Sequence, residues 1–154
     1  DSLGIAFAGD GQDQDTGAKV IHAAPETTST IRAKSISRSG GVASYRGLVQ
    51  VKKKAEHVVS SVECDALLIG DGAVSQTFPY MDVANSTAQV AHEARVGRIG
   101  DEEVFYLMSR GLNKERAMQL VVNGFIEPIV KALPLEYALE LNRLIEIEME
   151  GAIG

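Results

Sequence analysis

Apolar and polar positions alternate in short runs up to about residue 100, and these runs are rich in Val, Ile, Thr and Ser. The clearest runs are 19–23, 29–36, 47–51, 58–62, 66–69 and 87–96. Turn residues separate them, for example at 39–41 and 70–72. No intervening segment is long and amphipathic enough to form a crossover helix, which excludes an ordinary βαβ fold. A sandwich, a barrel and a β-solenoid all remain compatible with this pattern.

From Gly100 onward the pattern predicts helices. Asp101 to Glu103 place three acids in a first turn, where the helix dipole favours them, and Gly111 is a suitable stop for that helix. Asn113 is a suitable N-cap for a second helix, which has Gly124 near its end. Its expected apolar face consists of Ala117, Leu120 and Val121.

Two more helical segments are predicted, one over 126–133 before Pro134 and one beginning near Leu135. The last carries an apolar stripe made of Tyr137, Leu141, Leu144, Ile145 and Met149. Packing of this stripe on the β region is favoured over contact with a partner. The chain is therefore expected to be mainly β, with a β region over 1–99 and a helical region of four short helices over 100–154.

Composition narrows the classes of function. The 154 residues carry a net charge of -6, which disfavours binding to nucleic acid or to anionic membranes. No apolar run reaches the roughly 20 residues that a membrane-spanning helix needs. The N-terminal residues lack the basic region of a secretory signal, and the absence of an initiator Met suggests a fragment or a processed chain. The single Cys fits a reducing, cytoplasmic location.

The candidate chemistry lies in two strings, 62–69 with the only cysteine, Cys64, and 90–94 with His92 and Glu93. Thiolate, imidazole and carboxylate groups all ligate iron or zinc. Cys64 and Glu93 are 29 positions apart, a separation that one solenoid turn could place on neighbouring strands. In a regular strand, His92 would face the apolar interior and Glu93 the outside, so both could face one metal only across a bulge.

Each of these residues also has a purely structural interpretation. Cys64 could be a small buried hydrophobe, His92 a hydrogen-bonded interior residue, and Glu93 a solvated acid beside Arg95. We expect His22 to be structural and His57 to be exposed. A role in a turn or in strand register explains Tyr45 and Arg46 as well as chemistry does.

A succession of strings resembles the SufB/SufD family of iron–sulfur cluster assembly proteins over essentially the whole chain. The matching strings are 21–31, 34–37, 40–41, 44–49, 64–69, 92–94, 97–99, 105–107, 109–112 and 123–125. The cysteine in Cys-Asp-Ala-Leu-Leu-Ile and the Glu that follows His92 are the SufB-type choices. By its length the chain resembles the last third of a SufB-type protein, without the upstream part of the β-helix.

This resemblance implies a right-handed parallel β-helix followed by a small helical domain. It also implies that Cys64 is a cluster ligand and sulfur acceptor, that Glu93 acts with it, and that a SufD histidine at the position of His92 completes the set across an interface. The Fe–S cluster would be bound transiently. The implied partners are a SufC-type ABC ATPase at the helical region and SufD, or a second SufB-like chain, at the β-helix. A solenoid cut inside its stack would also self-associate.

Three functions remain open at this point. The leading one is a scaffold on which nascent Fe–S clusters are built, without catalytic residues of its own. No phosphate-binding Gly-x-x-x-x-Gly-Lys-Ser/Thr loop is present, so ATP hydrolysis would belong to the partner. The alternatives are a structural, self-associating β-solenoid and a carbohydrate-active β-helix enzyme. The acids concentrate in turns and in the helical region, which argues against the enzyme.

Overall fold

Seven β-strands form two parallel sheets in the computed structural model, which describes residues 1–150. The strands are β1 (Ser2–Ala8), β2 (Asp13–His22), β3 (Thr28–Arg38), β4 (Val42–Val51), β5 (Val59–Ile69), β6 (Val74–Val83) and β7 (Gln89–Arg98). The first sheet has the order β1-β3-β5-β7 and the second the order β2-β4-β6. Consecutive strands therefore belong to different sheets, and the chain winds from one sheet to the other.

The strand register identifies this winding as a β-solenoid of about three turns. Each strand pairs in parallel with the strand one turn later: Ser2 pairs with Ile31, and Val59 pairs with Gln89. These offsets of 29 and 30 residues set the length of one turn. The predicted parallel β-helix followed by helices is confirmed, and the sandwich and the barrel are eliminated.

Strand limits differ from the prediction in several places, and β2 begins at Asp13 instead of at 19. The runs 58–62 and 66–69 form one strand, β5, because Glu63 and Asp65 point outward while Cys64 between them points inward. β4 begins at Val42 instead of at 47. β1 and β6 were not predicted: the buried positions of β1 carry small residues such as Ala6 and Ala8, and in β6 apolar residues such as Phe78 and Tyr80 are exposed.

The interior between the sheets holds apolar clusters and a polar network around His22. Ile31, Val49 and Val62 are at most 3% exposed and pack together. Nearby, the buried His22 contacts the hydroxyls of Thr27 and Ser29 at 2.7 and 2.9 Å. Both ring nitrogens of His22 are thereby satisfied, so the residue is structural, as expected.

Up to residue 150, three helices follow the solenoid: α1 (Asp101–Ser109), α2 (Lys114–Val130) and α3 (Leu135–Glu150). The predicted N-cap is confirmed, because the Asn113 side chain accepts a 2.9 Å hydrogen bond from the backbone N–H of Arg116. The predicted stop is also confirmed: Gly111 follows α1 with a φ of 96°, a conformation that glycine adopts without steric cost. Among residues 1–150, no helix is both long and apolar enough to cross a bilayer.

The prediction of four helices was wrong, because the second and third segments form the single helix α2. Gly124 lies inside α2 and is not among the glycines with positive φ, so it does not act as a stop. Pro128 is also inside the helix. Its ring would approach the carbonyl of Gly124, one turn earlier, and α2 ends only two residues later, which limits the disruption.

Helices α2 and α3 pack on the outer face of the first sheet. Ile36 and Leu67 of the sheet form one buried cluster with Val122, Ile126 and Ile145 of the helices. The predicted apolar faces were partly wrong: Leu141, Ile145 and Met149 pack on this cluster, while Leu120, Tyr137 and Leu144 are more than half exposed. The orientation of each helix on the sheet decides which of its faces is buried. The periodicity of apolar residues alone does not define that orientation.

Charged side chains also hold the helices on the sheet. The ammonium group of Lys34 on β3 contacts the carboxylate of Asp65 at 2.8 Å and lies 4.4 Å from the ring centroid of Phe125 on α2. The guanidinium of Arg38 donates a 3.0 Å hydrogen bond to the backbone carbonyl of Met149 on α3. The helices thus cover the outer face around Ile36 and Leu67, while Glu63 and Glu93 on the same face stay exposed.

Candidate functional site

Cys64 lies in the middle of β5 with its side chain directed into the solenoid. It is 5% exposed and belongs to the interior cluster that contains Ile31, Val49 and Val62. Its neighbours in register on the adjacent strands are Ala33 and Ala94, whose side chains are small. The burial that the structural interpretation of Cys64 requires is thus observed, and the small neighbours leave space beside the sulfur atom.

His92 lies on the last strand of the first sheet, β7, and faces the same interior as Cys64. It pairs in register with the inward residue Val62, two positions before Cys64. Its Nε2 is buried and has no hydrogen-bond partner among residues 1–150. A buried ring nitrogen without a partner is costly in a purely structural residue. A hydrogen-bonded structural role therefore describes His22, but it does not explain the buried Nε2 atom of His92.

Glu93 faces the opposite side of the sheet. Its side chain is 56% exposed and forms a 2.7 Å ion pair with Arg95. In register it lies beside Glu63, a second outward carboxylate that the sequence patterns did not single out. The hydrogen bond to Glu93 raises the pKa of Arg95. The solvated Glu93–Arg95 pair that the purely structural interpretation predicts is therefore present.

The structure thus brings Cys64 and His92 to one face of neighbouring strands and leaves Glu93 on the other face. Strand β7 is regular from Gln89 to Arg98, so no bulge turns His92 and Glu93 to one side. Over residues 1–150, no three His, Cys, Asp or Glu side chains converge in a geometry that could hold a metal. A metal bound here would need further ligands from another chain or a rearrangement of β7.

A cavity of about 160 Å³ lies beside Cys64 between the two sheets. Polar groups from both sheets line it, among them Thr16, Ser35, Tyr45, Thr77 and Cys64 itself. Thr16, Tyr45 and Thr77 are in register with one another across the second sheet. They form a row of hydroxyl groups that faces the side of the first sheet bearing Cys64.

Tyr45 is the most unusual member of that row. It is 7% exposed, and its hydroxyl group has no hydrogen-bond partner among the described residues. Burial, with a smaller contribution from the charge of Cys64, raises the pKa of Tyr45 to about 12. Burial, with a smaller contribution from Asp65, raises the pKa of Cys64 to about 11. Both groups are therefore neutral at pH 7.

The sequence did not reveal this row. The sequence pattern leaves a register role and a chemical role equally open for Tyr45, and it gives no signal at Thr16 or Thr77. The signal that could have found them is the solenoid period, because Thr16 precedes Tyr45 by 29 positions and Thr77 follows it by 32. That period becomes visible only once the strands are paired.

Comparison with known proteins gives one family over most of the chain. Residues 1–125 match the SufBD core domain of the SUF system for FeS cluster assembly. This match includes every strand, the whole of α1 and most of α2.

Individual relatives agree with that match. The chain is 57% identical over 152 residues to an iron–sulfur cluster assembly SufBD family protein of Mycobacterium tuberculosis, covering 99% of this chain and 18% of the relative. It is 52% identical over 153 residues to the iron–sulfur cluster assembly protein SufB of Bacillus subtilis, covering 99% of this chain and 33% of the relative. The chain thus spans a third or less of the length of these curated relatives.

Proposed function

Because this chain belongs to the SufBD family of iron–sulfur cluster assembly proteins and is similar to SufB, we propose that it provides part of a scaffold on which nascent Fe–S clusters are built. The cluster is cargo that is assembled and passed on. In this proposal Cys64 accepts sulfur and ligates iron, Glu93 and His92 act beside it, and the chain works in the cytoplasm without catalytic residues of its own.

The observation that carries this proposal is the position of the three residues at the free edge of the first sheet. Strand β7 ends the sheet order and has no further strand beside it among residues 1–150. Cys64 lies on the strand next to this edge, and His92 and Glu93 lie on the edge strand itself. Fe–S clusters usually take four protein ligands, so this partial set suits a cluster completed by a second chain and later released.

The test is cluster reconstitution with the intact protein and its SUF partners, followed by visible absorption. Cys64→Ala is expected to abolish cluster formation, because alanine offers no ligand for iron. Val62→Ala is the matched control, since Val62 lies on the same strand and the same inward face. Normal cluster formation by a folded Cys64→Ala protein would refute the scaffold role and favour a structural solenoid.

We also propose two protein partners. A SufC-type ATPase would dock on the helical region, where apolar side chains are open to solvent: Phe105 is 72% exposed and Tyr106 is 57% exposed. SufD or a second SufB-like chain would pair with the edge at β7. Both assignments agree with the resemblance and with surfaces that the described part of the chain leaves uncovered.

The docking test should use point variants, because deleting the helices would uncover the apolar cluster around Ile36 and Leu67. Phe105→Asp is expected to abolish co-purification with the ATPase. Leu120→Asp is a control on another helix, at a residue that is also exposed. Equal ATPase binding by both variants and the unmodified protein would refute docking through α1.

A further inference from the structure

The hydroxyl of Tyr45 is a buried donor with no acceptor in the described part of the chain. Tyr45 is 93% buried, yet within residues 1–150 its oxygen has no hydrogen-bond partner. An unsatisfied buried hydroxyl destabilises the folded state by about 1–3 kcal/mol unless a ligand or a water satisfies it. Because the ring lines the interior cavity, any such partner must occupy that cavity.

The position of the ring is fixed by Gly47. A Cβ atom at this position would lie 3.0 Å from a ring carbon of Tyr45 and 3.5 Å from its hydroxyl oxygen. The ring therefore lies over the glycine, two residues further along β4, where any other side chain would displace it. This packing aims a rigid hydroxyl group at a defined point of the cavity.

Cys64 is the reactive group that shares this cavity. Tyr45 and Cys64 line it together and pack in one cluster, close enough for their charges to interact. Thr16 and Thr77 flank Tyr45 in register, and Ala33 and Ala94 flank Cys64. The lining of the cavity also includes three charged residues, Arg32, Lys34 and Asp65. The site thus offers space, hydroxyl donors and one sulfur atom.

We propose that Tyr45 is a positioning residue whose hydroxyl donates a hydrogen bond to a sulfane sulfur carried by Cys64, so that the cavity holds a Cys64 persulfide. This inference rests on the proposed function and adds the group that would hold its sulfur. The sulfur donor is a persulfide or an inorganic polysulfide. The Cys64 sulfur attacks the terminal sulfur of a donor R–S–S⁻, a new S–S bond forms, and the donor S–S bond breaks. The Cys64 proton passes to the leaving R–S group, so charge and atoms balance and no further oxidant is needed.

The geometry fits a persulfide better than a bound iron ion. A terminal persulfide sulfur adds one atom to Cys64, well within about 160 Å³, and an anionic sulfur accepts hydrogen bonds from hydroxyl groups. An iron ion would need several anionic or imidazole ligands. Beside Cys64 on this inward face lie one imidazole, that of His92, and otherwise Ala, Val and hydroxyl side chains.

The experiment treats the intact protein with sodium polysulfide, removes the excess, and measures by mass spectrometry the persulfide on the peptide that contains Cys64. Tyr45→Phe keeps the ring and removes only the donor. We expect about tenfold less persulfide in this variant, the ratio that loss of one hydrogen bond to a charged acceptor produces. Tyr80→Phe is the matched control, because Tyr80 is 64% exposed, and it should retain the unmodified protein's occupancy. Thermal unfolding of both variants checks that the fold is retained.

The remaining outcomes separate this inference from the proposed function. Equal persulfide on Tyr45→Phe and on the unmodified protein would overturn the role of Tyr45 and leave the scaffold proposal standing. Absence of persulfide on Cys64 even in the unmodified protein would overturn the inference together with the sulfur-accepting role of Cys64. Cluster reconstitution on the same samples would then show whether Cys64 still acts as an iron ligand.

Discussion

Cys64 and Glu93 lie on adjacent strands of one sheet but on opposite faces of it. Cys64 is in register with Ala94, and Glu93 is in register with Glu63. Because successive side chains of a strand alternate between faces, the thiol points into the solenoid and the carboxylate points to solvent. If both residues act on one cluster, as we propose, either β7 must rearrange or the cluster must lie at the sheet edge, where the two faces meet.

This arrangement predicts different effects of the two residues on stability. Cys64→Ala removes a buried sulfur beside an existing cavity and should lower the free energy of unfolding by about 1 kcal/mol. Glu93→Ala removes an exposed ion pair, 56% exposed on the Glu93 side, and should change it by less than about 0.5 kcal/mol. Urea unfolding measures both. A larger loss for Glu93→Ala would contradict the opposite-face arrangement.

Alkaline pH should destabilise the fold through Cys64. Burial raises the pKa of its thiol from 9.0 to about 11, so the neutral form is favoured in the folded state. The resulting stabilisation is complete below pH 9 and is lost as the pH rises through 11, because only the unfolded state releases the proton in that interval.

Between about pH 8 and about pH 10.5, titration of the Cys64 thiol is expected to lower the free energy of unfolding by an amount on the order of 2 kcal/mol. Urea unfolding at the two pH values measures it, and Cys64→Ala should show a shallower decline than the unmodified protein. Tyr45, whose pKa burial raises to about 12, contributes in the same direction at still higher pH. Identical pH profiles for the two proteins would show that the thiol is not buried as described.

The edge strand β7 predicts self-association of this chain. The backbone N–H groups of Gln89 and Ile99 donate to carbonyls of Val58 and Leu68, so odd-numbered residues of β7 point toward β5. Even-numbered residues such as Val96 direct their N–H groups to the open edge, where a second chain could pair.

Sedimentation velocity should therefore show a dimer at high concentration. Val96→Pro is expected to yield a monomer, because it removes one outward N–H group without removing a bond to β5. Val96→Thr keeps the N–H group and should remain dimeric. A monodisperse monomer of the unmodified chain would refute the prediction.

Pro128 inside α2 predicts a stabilising substitution. Pro128→Ala restores a backbone donor for the carbonyl of Gly124 and removes a ring from the helix interior. The substitution also increases the conformational entropy of the unfolded chain, which offsets part of this gain. The net effect should be a rise of about 2 kcal/mol in the free energy of unfolding. Pro134→Ala, between α2 and α3, is the control and should change stability little. A decrease for Pro128→Ala would mean that the ring itself makes a needed contact.

Local patterns were sufficient for several parts of the fold and the candidate site. The Asn113 cap and the Gly111 stop depend on neighbours within four residues, and both are present. The opposite directions of His92 and Glu93 follow from strand alternation alone. Gly124 was misread because a glycine ends a helix only where the chain adopts a positive φ, and the packing of α2 on the sheet keeps the chain helical through it.

The sequence by itself determined that the chain is mainly β to about residue 100 and helical after it, and that Glu93 faces outward in a regular strand. These are properties of periodicity and of side-chain polarity, which act over a few residues. Only the tertiary structure decided which residues share a cavity. Tyr45 and Cys64 meet because two sheets face each other across a solenoid whose turns are 29–32 residues long, and no local pattern records contacts over that distance.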